Sequence, residues 1–525
     1  MNPFRFFAAL LSFAALQFSV PVAAEPIPVK EGEGVVFFHD ALNFPALNTG
    51  GSGLTVQVLR VDGEAKKHIL TMARGGMQTS SAYYAALPAG RYKLYDFDAD
   101  PECWAWVCKY AIMPPIQTMP DFEVRAGEVS YLGPIQVSIT SAWGAPPEER
   151  KVTWGWDETP DLDLGRRVFA GLQSTLADMP VRVGWAESRA PGHDQRWRWS
   201  IIERSQGMAL AGLYGADGFY FSAQNGVIKR WRPGGDVEML YTGSPFLLES
   251  VLEMTGGRLL AAGEAGTLRR SSDDGRTWSD FNATLPYGRI SNLIDLGDGN
   301  AFAFARLWNG SVYVYRGTLD TGAFVQLAAF ELDISIWNGP PDYSPRMFRD
   351  RDRLVVSIPS RKLALIDLTT GAAELLDAPG AISNFTLNPD GGLWCICAQN
   401  LLVHPYVSRD LGRTWEKSEG DRLMVMAAFF DEQRGFGYRS AVFSEKNSGI
   451  VRTTDGGRNW SLTNDPDIDR AFWTPAYSRD GSVMLLNSLR VIGAFGITIT
   501  KYSVDGGDAW SPVPRGLSWK YVPQI

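Results

Sequence analysis

Histidine and cysteine are scarce in this chain, with four of each in 525 residues. The histidines (His39, His68, His193, His404) lie far apart, and none stands at a metal-ligand spacing from another or from a cysteine pair. No metal and no cofactor is therefore assigned, and the cysteines are too few for a disulfide framework. Basic runs are missing as well. With 50 Lys and Arg against 58 Asp and Glu the net charge is −8, a poor match for nucleic acid or an anionic lipid surface. Beyond residue 25 nothing approaches the about 18 uninterrupted apolar residues of a spanning helix, so no membrane span is expected.

What is present is apolar and aromatic: 45% hydrophobic residues, ample for a large core in a chain too long for one ordinary domain. The start, "MNPFRFFAALLSFAALQFSVPVAAEP", has one positive charge (Arg5), an apolar run without acids, and small residues at Val22 and Ala24. This is the layout of a secretory signal peptide over 1–24. Its removal moves the net charge from −8 to −9 and leaves a soluble, secreted or periplasmic protein. Glu rather than Cys at position 25 argues against a lipid anchor at the cleavage site.

Residues 26–140 alternate in short strand-like runs, among them "GVVFFHD", "LTVQVLRV" and "RYKLYDFDA", punctuated by Gly, Pro, Asn and Asp. That pattern predicts a β-sandwich. The segment "ALPAGRYKLYDF" resembles small sandwich domains of bacterial envelope proteins, in which a Pro-x-Gly-x-Tyr turn opens a strand. Inside the module lies "CWAWVC". In an oxidising compartment Cys103 and Cys108 can meet across a hairpin, and a disulfide is expected there. Trp104 and Trp106 then either pack on the sandwich or form an aromatic tip for a ligand. Residues 141–194 read as a linker rich in Pro and charge. It holds the one convincing helix, 162–178, with Leu164, Val168, Leu172 and Leu176 every four residues, Asp161 or Asp163 as cap and Pro180 beyond the end.

The rest of the chain, 195–525, repeats. "SSDDGRTW" (271–278) returns as "SRDLGRTW" (408–415), "TTDGGRNW" (453–460) and "SVDGGDAW" (503–510). The starts are separated by 137, 45 and 50 residues, and the first gap accommodates two worn copies. "TLDTGAF" (318–324) and "DLTTGAAEL" (367–375) fill those places, and "RWRPGGDVEML" (230–240) is one step earlier. Similar strand runs precede each turn, such as "RLLAAGE", "AFAFARL" and "LWCICAQ". Four strands per roughly 47 residues, seven times over, predict an all-β chain ending in a seven-bladed β-propeller.

Each box falls where a hairpin joins the third and fourth strands of a blade. Gly275, Gly412, Gly457 and Gly507 supply the left-handed conformation of a tight turn. Asp273, Asp410, Asp455 and Asp505, with Ser271, Ser408, Thr453 and Ser503 two residues earlier, bond the turn's own amides. Trp278, Trp415, Trp460 and Trp510 fill space between blades. Asp274 and Arg276 vary among the copies and read as solvated. Four such boxes in register resemble the Asp-box, or BNR-repeat, propellers over residues 195–525, a family spanning sialidases, sortilin-type receptors and propellers related to photosystem II assembly factors. The resemblance implies that the boxes lie on the outer rim, away from the ligand channel, and that they are structural.

Two enzymatic readings compete with a binding scaffold. Sialidases use a Tyr nucleophile with a Glu, three arginines, the first in Arg-Ile-Pro, and an Asp acid. This chain has no Arg-Ile-Pro, and "PVRVGW" with Arg182 is its nearest echo. Tyr477 in "PAYSRDG" is only faintly like the nucleophile segment, and sialidase propellers have six blades. A Cys–His pair of Cys395 or Cys397 with His404 is the other. The plain reading of the two cysteines is a pair of buried thiols sharing one strand face. Four arginines in "RMFRDRDR" (346–353) alternate with Asp350 and Asp352 and read as a self-neutralised loop. The sequence thus points to a non-catalytic, exported propeller that binds or assembles a protein or glycan, most like the photosystem-assembly-factor branch, with a sialidase as the rival. The expected ligand surface is the channel mouth opposite the boxes, formed by the loops before and after the first strand of each blade. Within it, 334–346 with Trp337, Tyr343 and Arg346, and 462–473, are the candidate loops.

Overall fold

Alternation, and its absence, sorts the strands of the N-terminal module. They are β1 (Glu33–Asn43), β2 (Leu54–Arg60), β3 (Lys67–Ala73), β4 (Ala82–Pro88), β5 (Gly90–Ala99), β6 (Phe122–Val124), β7 (Val129–Thr140), β8 (Lys151–Trp156) and β9 (Val181–Val183), with helix α1 (Leu162–Leu172) between the last two. One nine-stranded sheet runs β6-β5-β2-β3-β4-β1-β7-β8, with β9 paired to β7, and curls into a sandwich-like half-barrel. From Val35 to Phe38, β1 has no polar face because both of its faces are covered. Val36 and Phe38 join Val58, Tyr83, Tyr92, Leu132 and Trp156 in the core enclosed by the curl. Val35 and Phe37 face the other way, onto Val168, Phe169 and Leu172 of α1. The Pro-x-Gly-x-Tyr turn is fastened by its own tyrosine, since the Tyr92 hydroxyl donates to the Pro88 carbonyl at 2.8 Å.

This computed structural model describes residues 26–43, 54–73, 82–99, 120–140, 151–156, 160–186, 212–214, 218–222, 226–281, 285–308, 311–331, 345–358, 361–387, 391–399, 402–418, 424–429, 431, 433–439, 449–463, 476–477, 483–492, 495–505, 507–513 and 517–519. Two expectations change. The segment 141–194 is not all linker: β8 and β9 belong to the sheet, and Trp156 and Trp185 lie in its core, 6% and 8% exposed. The helix also stops at Leu172 rather than 178. Gln173 leaves helical geometry (φ −130°, ψ 67°) and turns its side chain inward, where Oε1 accepts from the Ile27 amide at 3.2 Å. A single 3-10 turn, Ser174–Leu176, follows. Asp161 caps α1, accepting from the amides of Asp163 (2.9 Å) and Leu164 (3.1 Å).

Seven further sheets form the propeller. The first strands of blades 2 to 7 are Leu248–Met254, Arg289–Asp295, Met347–Asp350, Ala381–Leu387, Met424–Phe429 and Ala476–Tyr477, and that of blade 1 is Gly212–Tyr214. Second strands such as Ala301–Trp308 are buried on both faces, because each blade is sandwiched by its neighbours. Apolar clusters accordingly bridge consecutive blades, for example Leu260 and Leu268 of blade 2 with Phe302 and Phe304 of blade 3. The ring closes twice. Trp231 of blade 1 packs on Tyr502 of blade 7, ring centroids 4.7 Å apart, and Leu517–Trp519 adds as a fifth strand, parallel to Val237–Met239 of blade 1.

Candidate functional site

Two ends of the propeller are chemically distinct, and the boxes define the first. In the box at 271, the Ser271 hydroxyl donates to Asp273 Oδ1 at 2.8 Å and accepts from the Gly275 amide at 2.9 Å. Asp273 also takes the Thr277 amide (2.9 Å) and hydroxyl (2.7 Å), and Trp278 Nε1 donates to the Gly275 carbonyl at 3.0 Å. The same circuit recurs at Ser408, Asp410, Gly412 and Trp415, and at Thr453, Asp455, Gly457 and Trp460, where the Asn459 amide group replaces the threonine hydroxyl. The box at Ser503 has Ala509 in that place, so Asp505 accepts only backbone amides besides the Ser503 hydroxyl, and Gly507 closes the turn. Such donors favour the charged carboxylate. The Thr414 hydroxyl and amide hold Asp410 down to about 2, and the Asn459 amide leads in lowering Asp455. The carboxylates of Asp273, Asp410 and Asp455 are committed to their turns through both oxygens, whereas Asp505 accepts through Oδ1.

Every box also grips the blade before it. A Cβ on Gly275 would meet Leu240 of blade 1 at 2.9 Å, one on Gly457 would meet Trp394 of blade 5 at 2.9 Å, and one on Gly507 would meet Phe436 of blade 6 at 2.3 Å. With φ of +86°, +85° and +87° these positions need glycine for the backbone as well as for the fit. Asp274 is more than a solvated spacer, which corrects its reading. Its carboxylate bonds Arg230 of blade 1 at 2.5 Å, and that guanidinium, 0% exposed, is also held by Glu238 at 2.7 Å. Arg413 reaches Glu374 of blade 4 (2.6 Å) and Asp508 pairs with Arg452 of blade 6, so the charge at the joint changes sign while the joint persists. Arg276 is exposed.

The other end is built by two sets of loops, those leading into each first strand and those joining second to third strands. Loops after the first strand belong with the boxes, contrary to expectation, because strands alternate direction. Thus the Asp274 amide donates to Gly257 and the Leu368 amide to Asp352. "RMFRDRDR" is such a hairpin at the box end, where Arg349 Nε donates to the Arg351 carbonyl at 2.7 Å. At the opposite end, the N-terminal module is seated on blades 2 and 3. Phe246, Ala265, Tyr287 and Trp308 of the propeller share one apolar cluster with Phe37, Tyr84 and Tyr131 of the sheet and Phe169 and Leu172 of α1. Gly171 of α1 comes so close that a Cβ there would stand 2.2 Å from the Tyr287 Cβ. Tyr287 in turn meets Trp308 edge-on at 4.8 Å, and its carbonyl accepts from Arg306 at 2.6 Å.

Of the remaining candidates, Arg346 is half-buried at the start of blade 4, where its amide donates to the Ser357 hydroxyl at 2.8 Å. Trp337, Tyr343, the tip residues Cys103, Trp104, Trp106 and Cys108, and residues 1–25 lie outside the described residues, as does nearly all of 462–473 and the side chain of Tyr477. Cys395 and Cys397 are not two free thiols. The structure joins them in a disulfide, their Cα atoms 5.6 Å apart, inside the range a disulfide spans. Cys397 lies directly across from His404, but with both sulfurs bonded there is no thiol for a Cys–His pair. Arg182 is engaged within the N-terminal module, bonded to Glu128 at 2.9 Å and to the Glu123 carbonyl at 2.6 Å. The docking residues Phe246 and Tyr287 escaped sequence reasoning because aromatic residues in loops carry no periodic signal, and Trp308 because it closes a strand buried on both faces.

No protein-family model matches the chain, and no curated protein matches it. Among solved structures it is similar to YCF48 bound to D1 peptide, at 17% identity over 54% of this chain and 89% of that one, TM-score 0.42. It is similar also to YCF48 from Cyanidioschyzon merolae (16% identity, 52% and 90%, TM-score 0.39) and to the GH74 enzyme of Niastella koreensis (15% identity, 49% and 37%, TM-score 0.35). At these scores none of them bears on what this chain binds or does.

Proposed function

We propose that the chain is an exported, non-catalytic binding or assembly module whose partner is a protein of the cell envelope. The partner surface is the propeller end opposite the boxes. One observation carries this reading: that end already accepts a folded protein surface in cis, through aromatic side chains on loops and at a strand end of blades 2 and 3. Tyr and Trp on such loops suit protein recognition, since they combine a large apolar face with a polar edge. A partner in trans would be met by the loops of the other blades at the same end. The rival sialidase reading loses its arginine echo, because Arg182 is bound inside the N-terminal module.

Photo-crosslinking residues placed at Lys362 or Asp377, which pair across blade 4 at the proposed end, test this against residues placed at Arg276 or Arg458 at the box end. Protein adducts in an envelope extract from the first pair only are the expected outcome. Adducts from the box end alone, glycan capture in place of protein, or turnover of a fluorogenic sialoside by the full chain would overturn it.

A further inference from the structure

The contact between the two modules contains an ionisable group at its centre. His39 continues the face of β1 that bears Val35 and Phe37, and it is 2% exposed. Its ring lies 4.7 Å from Phe246 of the propeller, 5.5 Å from Tyr131 and 5.8 Å from Phe37. Nε2 is 3.1 Å from the Tyr131 hydroxyl, while Nδ1 is buried with no hydrogen-bond partner. Imidazole is an odd occupant for this position. An apolar side chain would fill it without leaving a polar atom unbonded, and the same face of β1 supplies apolar side chains at the two preceding positions.

Among the described residues, no titratable or charged group on the surrounding elements other than Tyr131 is bonded to this ring. On the sheet such groups are Glu33, Tyr84, Glu128, Tyr131 and Arg182, with Lys30 just before β1; Arg182 is paired to Glu128. On α1, Asp163 and Arg166 pair with each other in solvent, and Arg167 lines an open groove. The propeller contributes Glu264, Tyr287, Arg306 and Arg289, of which Arg289 is paired to Glu249. The one polar atom bonded to the imidazole is the Tyr131 hydroxyl.

We propose that His39 is an acid-sensitive latch, whose protonation releases the N-terminal sheet and α1 from blades 2 and 3. Once protonated, the ring must donate from both nitrogens, and the Nδ1 proton meets only buried surroundings without an acceptor. Burial accordingly lowers the imidazole to about 3. The sign follows. A neutral histidine favoured in the docked state gives a contact that is complete above the solvent value, about 6.5, and is lost as pH falls from there towards 3. If water reaches His39 on release, the docked-to-released ratio drops about 10-fold at pH 5.5 and about 100-fold at pH 4.5, relative to pH 7.5. The functional consequence, exposure of Phe246, Tyr287 and Trp308 to a partner, rests on the binding reading above; the acid-driven release does not.

Hydrogen exchange of the full chain at pH 7.5 and 4.5, corrected for intrinsic rates, tests the latch. Peptides covering 165–172, 244–248 and 264–267 should lose protection in acid, while peptides from blades 5 and 6 keep theirs. His39→Phe should hold the contact closed at both pH values, and His39→Leu serves if the larger ring does not fit. Unchanged protection of the contact in the wild-type chain would overturn the proposal. So would equal opening of a folded His39 variant, or loss of protection across all blades at once.

Discussion

Both oxygens of Asp273 accept hydrogen bonds from its own turn, through the Ser271 hydroxyl and the Thr277 amide and hydroxyl. Burial opposes its charged form, but these donors outweigh it, and the carboxyl titrates below its ordinary range. Asp273→Ala removes them together. By analogy with helix caps the expected cost is about 1–2 kcal/mol, read as a lower urea midpoint at unchanged slope. Crosslinking from Lys362 in the folded variant should not change, since the box lies at the other end of the propeller. Asp274 calls for a different test. Its neighbour Arg230 is fully buried, yet Asp274 itself is 37% exposed and Glu238 remains to hold the guanidinium, so solvent screening limits the loss. Asp274→Asn is the clean substitution, because the residue sits at φ +60°, a conformation asparagine tolerates. About 1 kcal/mol of destabilisation is expected, with coupling to Arg230 in a double-mutant cycle. A neutral result would return Asp274 to the solvated role its variability first implied. Nothing in the sequence of one box shows which variable position faces the preceding blade, and the ion partner lies 44 residues away.

Strands and turns were largely legible because their signals are local. The box residues fix where a third strand ends, and the worn turn at 367 keeps the same logic with other atoms: Asp367 takes the serine place, accepts from Thr369, Thr370 and the Thr370 hydroxyl, and precedes Gly371 at φ +72°. The helix end was not legible, since Gln173 is a good helix former, yet it leaves α1 with its side-chain oxygen accepting from the Ile27 amide. The domain contact was not legible either, and Gly171 shows why. On propensity alone, Gly171→Leu should strengthen an exposed helix by up to about 1 kcal/mol. In the folded chain that position faces Tyr287, with 2.2 Å between the two Cβ sites and no flexible atom to yield. Packing decides the sign: the variant should weaken the contact of α1 with blade 3 while both modules stay folded. Exchange at 285–290 should rise and that of blades 5 and 6 should not. Greater stability with an unperturbed contact would show that the helix can slide away from Tyr287 at little cost.

A ring of blades stands or falls by its last seam. The four box blades end in outer strands of two residues, such as Ser279–Asp280 and Ser461–Leu462, which offer little edge for pairing. Blade 1 is different: its outer strand, Val237–Tyr241, has five residues, and the chain's own Leu517–Trp519 covers it in parallel. The seam between blades 7 and 1 therefore combines an apolar interface, Phe219, Phe221, Trp231 and Val237 against Val483, Leu485 and Tyr502, with a short ladder that ties the C-terminal end of the propeller to its first blade. Sequence periodicity predicts seven blades but does not say how they close, because a three-residue strand carries no period. Ending the chain after Val513 removes that strand and leaves the apolar seam in place. At about 1 kcal/mol for each ladder bond lost, the truncated chain should be less stable by about 2–4 kcal/mol. It should also expose an edge able to pair with another copy, so association that grows with concentration is expected alongside the lower urea midpoint. Full stability and a monomer at all concentrations would mean that the seam of blades 7 and 1 closes the ring by side-chain packing alone.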